Sequence, residues 1–106
     1  NIRMTTTAVL IHEKLDQIRE VELDLAPHVN EAYIVLACHP TFIGQWPEID
    51  VVIMKSKIGE VPNENDLPEP FSNVDVLGPI LLIKMDEQSQ PQNFTLEEYK
   101  RFISKE

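Results

Sequence analysis

A cysteine and a histidine stand side by side at Cys38 and His39, and this pair is the best suited to nucleophilic chemistry. A neighbouring imidazole can lower the pKa of a thiol and so produce the reactive thiolate. Adjacent strand residues, however, point to opposite faces, and a catalytic cysteine normally meets a histidine from elsewhere in the fold. His12 or His28 would have to fill that role, and no spacing selects either of them. A lone cysteine at the end of an apolar run is most often a core residue, so we favour a structural Cys38.

Patterns that bind metals, nucleotides or phosphates are absent from the sequence. The three histidines and Cys38 show neither C-x-x-C nor H-x-x-x-H spacing, which would place metal ligands on one face. No nucleotide-binding fingerprint, Walker loop or nucleophile elbow occurs, and three glycines cannot build a phosphate cradle. The sequence therefore predicts neither a metal site nor a cofactor.

Residues 20–25 alternate strictly between acidic and apolar side chains, which is the period of a strand with one wet face. Glu20, Glu22 and Asp24 share that face at repeats of about 7 Å. A functional carboxylate pair would need burial or a substrate cleft, and neither is implied. We therefore interpret this acidic face as a solvated, aggregation-resistant surface or as a docking surface for a basic partner.

Aromatic residues in predicted loops are the other candidate binding groups. Trp46 is the only tryptophan and follows Gln45 in a predicted turn. Loop aromatics are often binding anchors, and the alternative is that the Trp46 ring folds back over the core as a lid. Phe71 ends the extended segment Leu67–Phe71, which is either a polyproline-type ligand or a strap across the sheet. The lid and the strap are the interpretations that we favour.

The charge balance limits the classes of partner. Lys and Arg total 9 against 18 Asp and Glu, which gives a formal net charge of -9. Such a chain repels a phosphate backbone, so direct nucleic-acid binding is disfavoured and a basic protein partner is favoured.

Three features predict an intracellular location away from membranes. A single cysteine allows no intrachain disulfide. The longest apolar run is far shorter than the ~20 residues of a membrane span, and no stretch has the pattern of a secretory signal.

Residues 1–3 precede Met4 and are interpreted as a vector remnant. Residues 1–106 have the length of a single domain.

Apolar periodicity in the first third of the chain predicts a hairpin and then a helix. We expect strands over Thr5–His12 and Glu20–Leu25, with a helix over Glu13–Glu22 as the competing interpretation. After Pro27, apolar residues recur at helical spacing as far as Leu36, which predicts a helix with Pro27 in its first turn. The segment Ala32–Cys38 is apolar enough to be a central strand instead.

The middle of the chain predicts a second hairpin, a long loop and a further strand. The apolar runs Thr41–Gly44 and Ile49–Lys55 flank a short break that contains proline. Val51–Met54 has no polar residue, so this strand is expected to be buried on both faces. Residues 57–75 are rich in Pro and Asn and lack periodicity, so we expect a loop there. Val76–Met85 is the last predicted strand, and Pro79 near its start suits an edge position or the first residues of a strand.

The strongest local signal predicts a C-terminal helix over Leu96–Ser104. Thr95 and Glu98 have the spacing of a capping box, in which each side chain bonds the backbone N–H of the other residue. Phe94 and Tyr99 occupy the two positions of a hydrophobic staple.

The element order is therefore β-β-α-β-β-loop-β-α, which predicts an α+β domain with a mostly antiparallel five-stranded sheet and two helices. The opening hairpin followed by a helix resembles the beginning of a β-grasp fold. An open sheet leaves backbone N–H and C=O groups of its edge strands unpaired, and a second copy could cover such an edge. A homodimer is therefore one expectation.

Several segments also resemble, in their order, a pattern in small uncharacterised proteins of large nucleocytoplasmic DNA viruses of algae and amoebae. The likeness covers about the last two-thirds of the chain. It implies a viral origin and a host-cell location, and it implies no activity. The segments are Phe42–Pro47, Asp50–Ile53, Leu67–Phe71, Gly78–Leu82, Met85–Glu87 and Phe94–Tyr99.

Three hypotheses about function follow. The first is a small, acidic, non-enzymatic protein-interaction module that uses the Trp46 turn, the long loop and the acidic face. The second is a small thiol-dependent enzyme or redox-sensitive protein that uses Cys38 with a histidine. The third is an acidic mimic of nucleic acid that occupies basic sites. Thiol reactivity of the folded protein separates the second hypothesis from the first, because a core cysteine reacts only on unfolding.

Overall fold

The computed structural model describes residues 5–25, 31–36, 40–69, 71 and 75–104. It is an α+β fold built on one sheet, as the sequence predicts. Its strands are β1 (Thr6–Ile11), β2 (Ile18–Leu23), β3 (Pro40–Trp46), β4 (Val51–Ser56), β5 (Ile80–Met85) and β6 (Pro91–Gln92). The helices are α1 (Ala32–Val35) and α2 (Leu96–Ser104), and Pro47–Ile49 forms a 3-10 turn.

The sheet has the strand order β2-β1-β5-β4-β3, and the short β6 pairs with β5. Every strand pairing that the structure describes is antiparallel. The opening hairpin followed by a helix is present. The last long strand, β5, lies at the centre of the sheet, and β2 and β3 form its two edges.

Strand alternation divides the core into two clusters, one on each face of the sheet. On the α2 face, Val9, Ile53 and Leu82 pack with α2 and the long loop. On the α1 face, Leu10 and Leu81 pack with α1.

Strand β4 contributes to both clusters. Val51 and Ile53 point to the α2 face, while Val52 and Met54 point to the α1 face. Val51 and Ile53 are buried, whereas Val52 and Met54 are half-buried, so the predicted burial on both faces is complete only on the α2 face.

Two of the open alternatives are settled within the described residues. Residues 18–23 form a strand, so the competing helix over residues 13–22 is wrong. Residues 32–35 are helical, so the described part of Ala32–Cys38 is not a central strand. The expected start of this helix at Pro27 and the end of the alternative strand at Cys38 lie outside the described residues.

The sequence expectation for β5 needs a correction. The predicted strand Val76–Met85 begins only at Ile80 and is central, so of the two positions suggested by Pro79 the edge is wrong, while Pro79 does stand where the chain enters the strand. Gly78 has a φ of 88° and Pro79 lacks a backbone N–H, and together they interrupt the strand before Ile80.

The described part of the long loop is docked on the molecule. The Asn63 side chain donates to the carbonyl oxygen of Ile11, and the Asn65 side chain donates to that of His12. Leu67 and Phe71 are buried in the cluster on the α2 face, as a strap requires.

Helix α2 has the predicted bounds and the predicted cap. The Glu98 N–H donates to the Thr95 hydroxyl at 3.1 Å, and the Thr95 N–H donates to the Glu98 carboxylate at 3.2 Å. The Phe94 and Tyr99 rings meet edge to face with centroids 6.5 Å apart, which completes the staple.

Candidate interaction surface

Trp46 lies in the core and does not project from a turn. Its side chain is only 3% exposed, and its ring centroid is 5.0 Å from that of Phe102 in α2. The indole N–H donates to the backbone oxygen of Glu69 at 2.7 Å. The exposed-anchor expectation therefore does not match the position of Trp46, because β3 extends through this residue and turns its side chain to the α2 face.

The strap that ends at Phe71 covers the same part of the sheet. A side chain at Gly44 would meet the Phe71 ring, since a Cβ atom there would lie 2.9 Å from the ring. Phe71 is buried, and its ring packs on the strand. Gln45 remains exposed on β3.

The acidic residues of β2 make bonds within the chain. Glu20 accepts a hydrogen bond from the Leu96 N–H at 2.9 Å, at the first turn of α2, where a negative charge is favourable. Glu22 accepts bonds from the hydroxyls of Thr7 (2.6 Å) and Thr5 (3.2 Å). Glu20 and Glu22 therefore hold α2 and β1 in place.

Asp24, the third member of the acidic face, follows the end of β2. Its backbone N–H donates to the Glu31 carboxylate at 2.7 Å, and its carbonyl oxygen accepts from the Glu31 N–H at 2.8 Å. These two bonds tie the end of the opening hairpin to the residue before α1.

The thiol candidates fall in an undescribed part of the chain. Cys38, His39 and His28 lie outside the described residues. His12 is described, and its Nε2 accepts a bond from the Arg19 side chain at 3.1 Å. No group of three or more potential metal ligands occurs among the described residues.

Two surface hollows flank Asp50, which has a φ of 56° in the turn between β3 and β4. The hollow of about 310 Å³ lies beside α2 and contains an ion pair between Lys84 and Glu98 at 3.4 Å. The hollow of about 240 Å³ is bordered by Gln45 and Asp86. Every buried side-chain polar atom in the described residues has a hydrogen-bond partner, so neither hollow offers an unpaired buried group to a substrate.

Tyr99 is a described group whose pKa is clearly displaced from its ordinary value. Its side chain is 1% exposed, and burial raises the pKa of Tyr99 to about 12 by disfavouring the phenolate. The phenol packs between Trp46 and Phe94, so its role is structural.

The two edges of the sheet differ in charge. β2 carries Arg19, Glu20 and Glu22, which discourage pairing with another strand. β3 has the sequence PTFIGQW, without a charged side chain, and is rich in β-forming residues. Within the described residues, the β3 backbone bonds only to β4, so its outer N–H and C=O groups are unpaired.

Phe42 is the exposed apolar residue of this edge, with 56% of its surface accessible. It is paired with Met54 on β4 and so lies on the α1 face, where Val52 and Met54 are half-buried. The sequence prediction did not single out Phe42. The uncharged run Pro40–Trp46 was the available signal, but only the strand order identifies that run as an edge.

Comparison with known proteins gives a family and no activity. No curated protein and no solved structure matches the chain. In the part of the chain that the structure describes, no helix is long and apolar enough to cross a membrane. A family model described as a family of unknown function, DUF5880, matches residues 9–102. Because that match covers most of the chain, the protein belongs to the DUF5880 family.

Proposed function

We propose that the protein is a non-enzymatic protein-interaction module, and that its contact element is the outer edge of β3. An extended segment of another polypeptide adds to this edge by main-chain hydrogen bonds, in the manner of β-strand addition. The observation that carries the proposal is the contrast between the charged β2 edge and the uncharged β3 edge.

Strand addition needs unpaired backbone groups and a side-chain contact that fixes the register. The outer groups of β3 supply the first requirement, since the described strand bonds only to β4. Phe42 and the half-buried Met54 supply the second, because an aromatic ring beside a flexible thioether makes an adaptable apolar contact. Specificity then comes from alternate side chains of the added strand.

The test uses a display library of random extended peptides, selected on the wild-type protein. We expect the selected peptides to have alternating apolar residues without proline, and to shift the backbone NMR signals of residues 40–46. Phe42→Lys places a charge on the edge and is expected to weaken peptide binding at least about tenfold.

Leu15→Lys is the matched control, because Leu15 is 59% exposed in the β1–β2 turn, away from β3. It adds the same charge and is expected to leave peptide binding unchanged. Peptides that bind Phe42→Lys as well as wild type, or that shift signals outside β3 and β4, would contradict the proposal.

The setting that we infer is the interior of a cell. A single cysteine suits a reducing compartment, and the resemblance of the motif order to that of proteins of large nucleocytoplasmic DNA viruses is the ground on which we propose a viral origin and a host-cell location. A tagged copy expressed in an algal or amoebal cell is expected to stay inside that cell. Secretion of the tagged protein would contradict this setting.

A further inference from the structure

We infer that the strand that adds to β3 is β3 of a second copy of this chain, a step that rests on the proposed function. A two-fold axis perpendicular to the sheet pairs β3 with itself in antiparallel orientation. The sheet then continues from one copy into the other, and the α1 faces of both copies lie on the same side.

Charge at the two ends of the β3–β4 hairpin favours this self-pairing. Pro40 pairs with Ser56, so Lys55 and Lys57 lie at the Pro40 end of β3. Glu48 and Asp50 follow Trp46 at the other end. In the antiparallel pair, the lysine end of each copy meets the acidic end of its partner.

The exposed members of these two ends are the groups best placed to pair across the axis. Lys57 and Glu48 are both exposed, whereas the Lys55 ammonium is already bonded to the Ser56 carbonyl oxygen at 2.7 Å. The two-fold axis repeats the contact, so the dimer contains it twice. The overall charge of -9 opposes association at long range, but salt screens it beyond about 8 Å.

Phe42 lies next to Ile43, the middle residue of β3 and the centre of the pairing. In one antiparallel sheet, the Phe42 side chains of both copies stand on the α1 face, within reach of each other across the axis. Their contact removes from water an aromatic side chain that is 56% exposed in the single chain.

The added ladder is short, and the assembly ends at a dimer. Pro40 has no backbone N–H to donate, and a β-bulge interrupts the ladder between Phe42 and Gly44, so the added ladder is short. The two-fold pairing uses the β3 edge of both copies. The edge left open is β2, whose charges discourage further addition.

Sedimentation equilibrium over a concentration series tests this inference by charge exchange. Lys57→Glu and Glu48→Lys each turn both predicted contacts into like-charge pairs, and each variant is expected to raise the dimer dissociation constant at least about tenfold. An equimolar mixture of the two variants restores opposite charges at one contact and exchanges them at the other. We expect this mixture to form a heterodimer with an affinity closer to that of the wild-type homodimer than to that of either variant.

Lys100→Glu is the control for net charge, because it makes the same charge change as Lys57→Glu at an exposed position on α2. It is expected to leave the dissociation constant unchanged. Phe42→Lys is expected to abolish the dimer, and the circular dichroism of each variant reports whether it is folded.

The outcomes separate this inference from the proposed function. A wild-type chain that stays monomeric up to millimolar concentration, while selected peptides still bind at β3, overturns the second copy as partner and leaves the proposed function intact. A dimer that the charge-exchange mixture does not restore also overturns the inference, because the antiparallel β3 pairing requires that restoration.

Discussion

At the scale of single residues, the Asn65 amide connects the long loop to the β1–β2 turn. The Asn65 side-chain nitrogen donates to the carbonyl oxygens of His12 (2.9 Å) and Lys14 (3.0 Å), and its oxygen accepts a bond from the Asp16 N–H at 2.8 Å. Only a side chain with both donors and an acceptor can make this set of bonds. The amide is therefore the chemical requirement at this position.

Asn65→Ala is expected to lower the free energy of unfolding by about 1–3 kcal/mol, because it leaves backbone groups of the β1–β2 turn unpaired. Asn65→Asp is expected to cost at least as much, since a carboxylate would face two carbonyl oxygens. Urea unfolding measures both variants. Asp66→Ala, at the exposed neighbouring position, is the control and should change stability by less than about 0.5 kcal/mol. If Asn65→Asp were as stable as wild type, the Asn65 donors would be dispensable.

Tyr99 is expected to make the free energy of unfolding fall as the pH rises into the alkaline range. The phenol ionises near pH 10 in the unfolded chain, whereas burial raises the pKa of Tyr99 to about 12 in the folded protein. Between these values the folded state keeps a proton that the unfolded state has lost, so stability falls as pH rises. The loss approaches about 2–3 kcal/mol above pH 12.

Denaturant unfolding from pH 9 to about 12 measures this dependence. Tyr99→Phe removes the ionisable group and should remove that part of the alkaline loss, while Tyr33→Phe should retain it. Wild type and Tyr99→Phe with the same pH dependence would show that the Tyr99 phenol does not control alkaline stability.

At the scale of elements, α2 is held by its first turn. The capping box satisfies the N–H groups of Thr95 and Glu98, and Glu20 of β2 accepts the N–H of Leu96. The Glu20 bond joins the helix to β2, a sheet edge that is distant from α2 in sequence. The acidic face of β2 thus stabilises the start of α2 and also protects that edge from pairing.

Thr95→Ala is expected to lower the free energy of unfolding by about 0.5–2 kcal/mol, because the Glu98 N–H loses its hydroxyl partner. Thr95→Ser keeps a hydroxyl and is the matched control, with most of the stability retained. Thermal unfolding followed by circular dichroism measures both. Equal losses in the two variants would assign the effect to the methyl group and not to the cap.

At the scale of the whole molecule, stability is concentrated at the centre of the sheet. β5 pairs with β1 and β4, and Ile80–Ile83 are buried whichever face they point to. β2 and β3 each have one paired side. The molecule therefore combines a buried strand, paired on both sides, at its centre with the β3 edge at its boundary.

Native-state hydrogen exchange should follow this arrangement. We expect the amides of Leu81–Ile83 to exchange most slowly, at rates set by global unfolding, because local fluctuations cannot expose a central strand. The amides on the outer side of β3 should exchange much faster in the dilute protein. Raising the concentration should slow exchange at β3 alone if a second copy covers that edge. Slow exchange at β3 in dilute protein would contradict an unpaired edge.

Much of the local structure was predictable because it depends on neighbours in sequence. The bounds of α2, its cap and its staple follow from side chains three to five residues apart. The strict alternation of residues 20–25 likewise predicted a strand here, although β2 begins and ends two residues earlier, at Ile18–Leu23. The sequence favoured a buried lid for Trp46 and a buried strap for the segment that ends at Phe71. It could not by itself exclude that these two aromatic side chains are exposed and bind a partner.

The sequence by itself determined the fold class, most of the helices and strands, the acidic charge and the lack of a recognisable cofactor motif, because composition and short-range periodicity encode these properties. Only the tertiary structure decided that Glu20 bonds to α2, that Trp46 is covered by the strap, and that Phe42 stands on an open edge. Each of these depends on which distant strands pair and in which register. Such pairings are set by the packing of the whole core, which no local pattern in the sequence specifies.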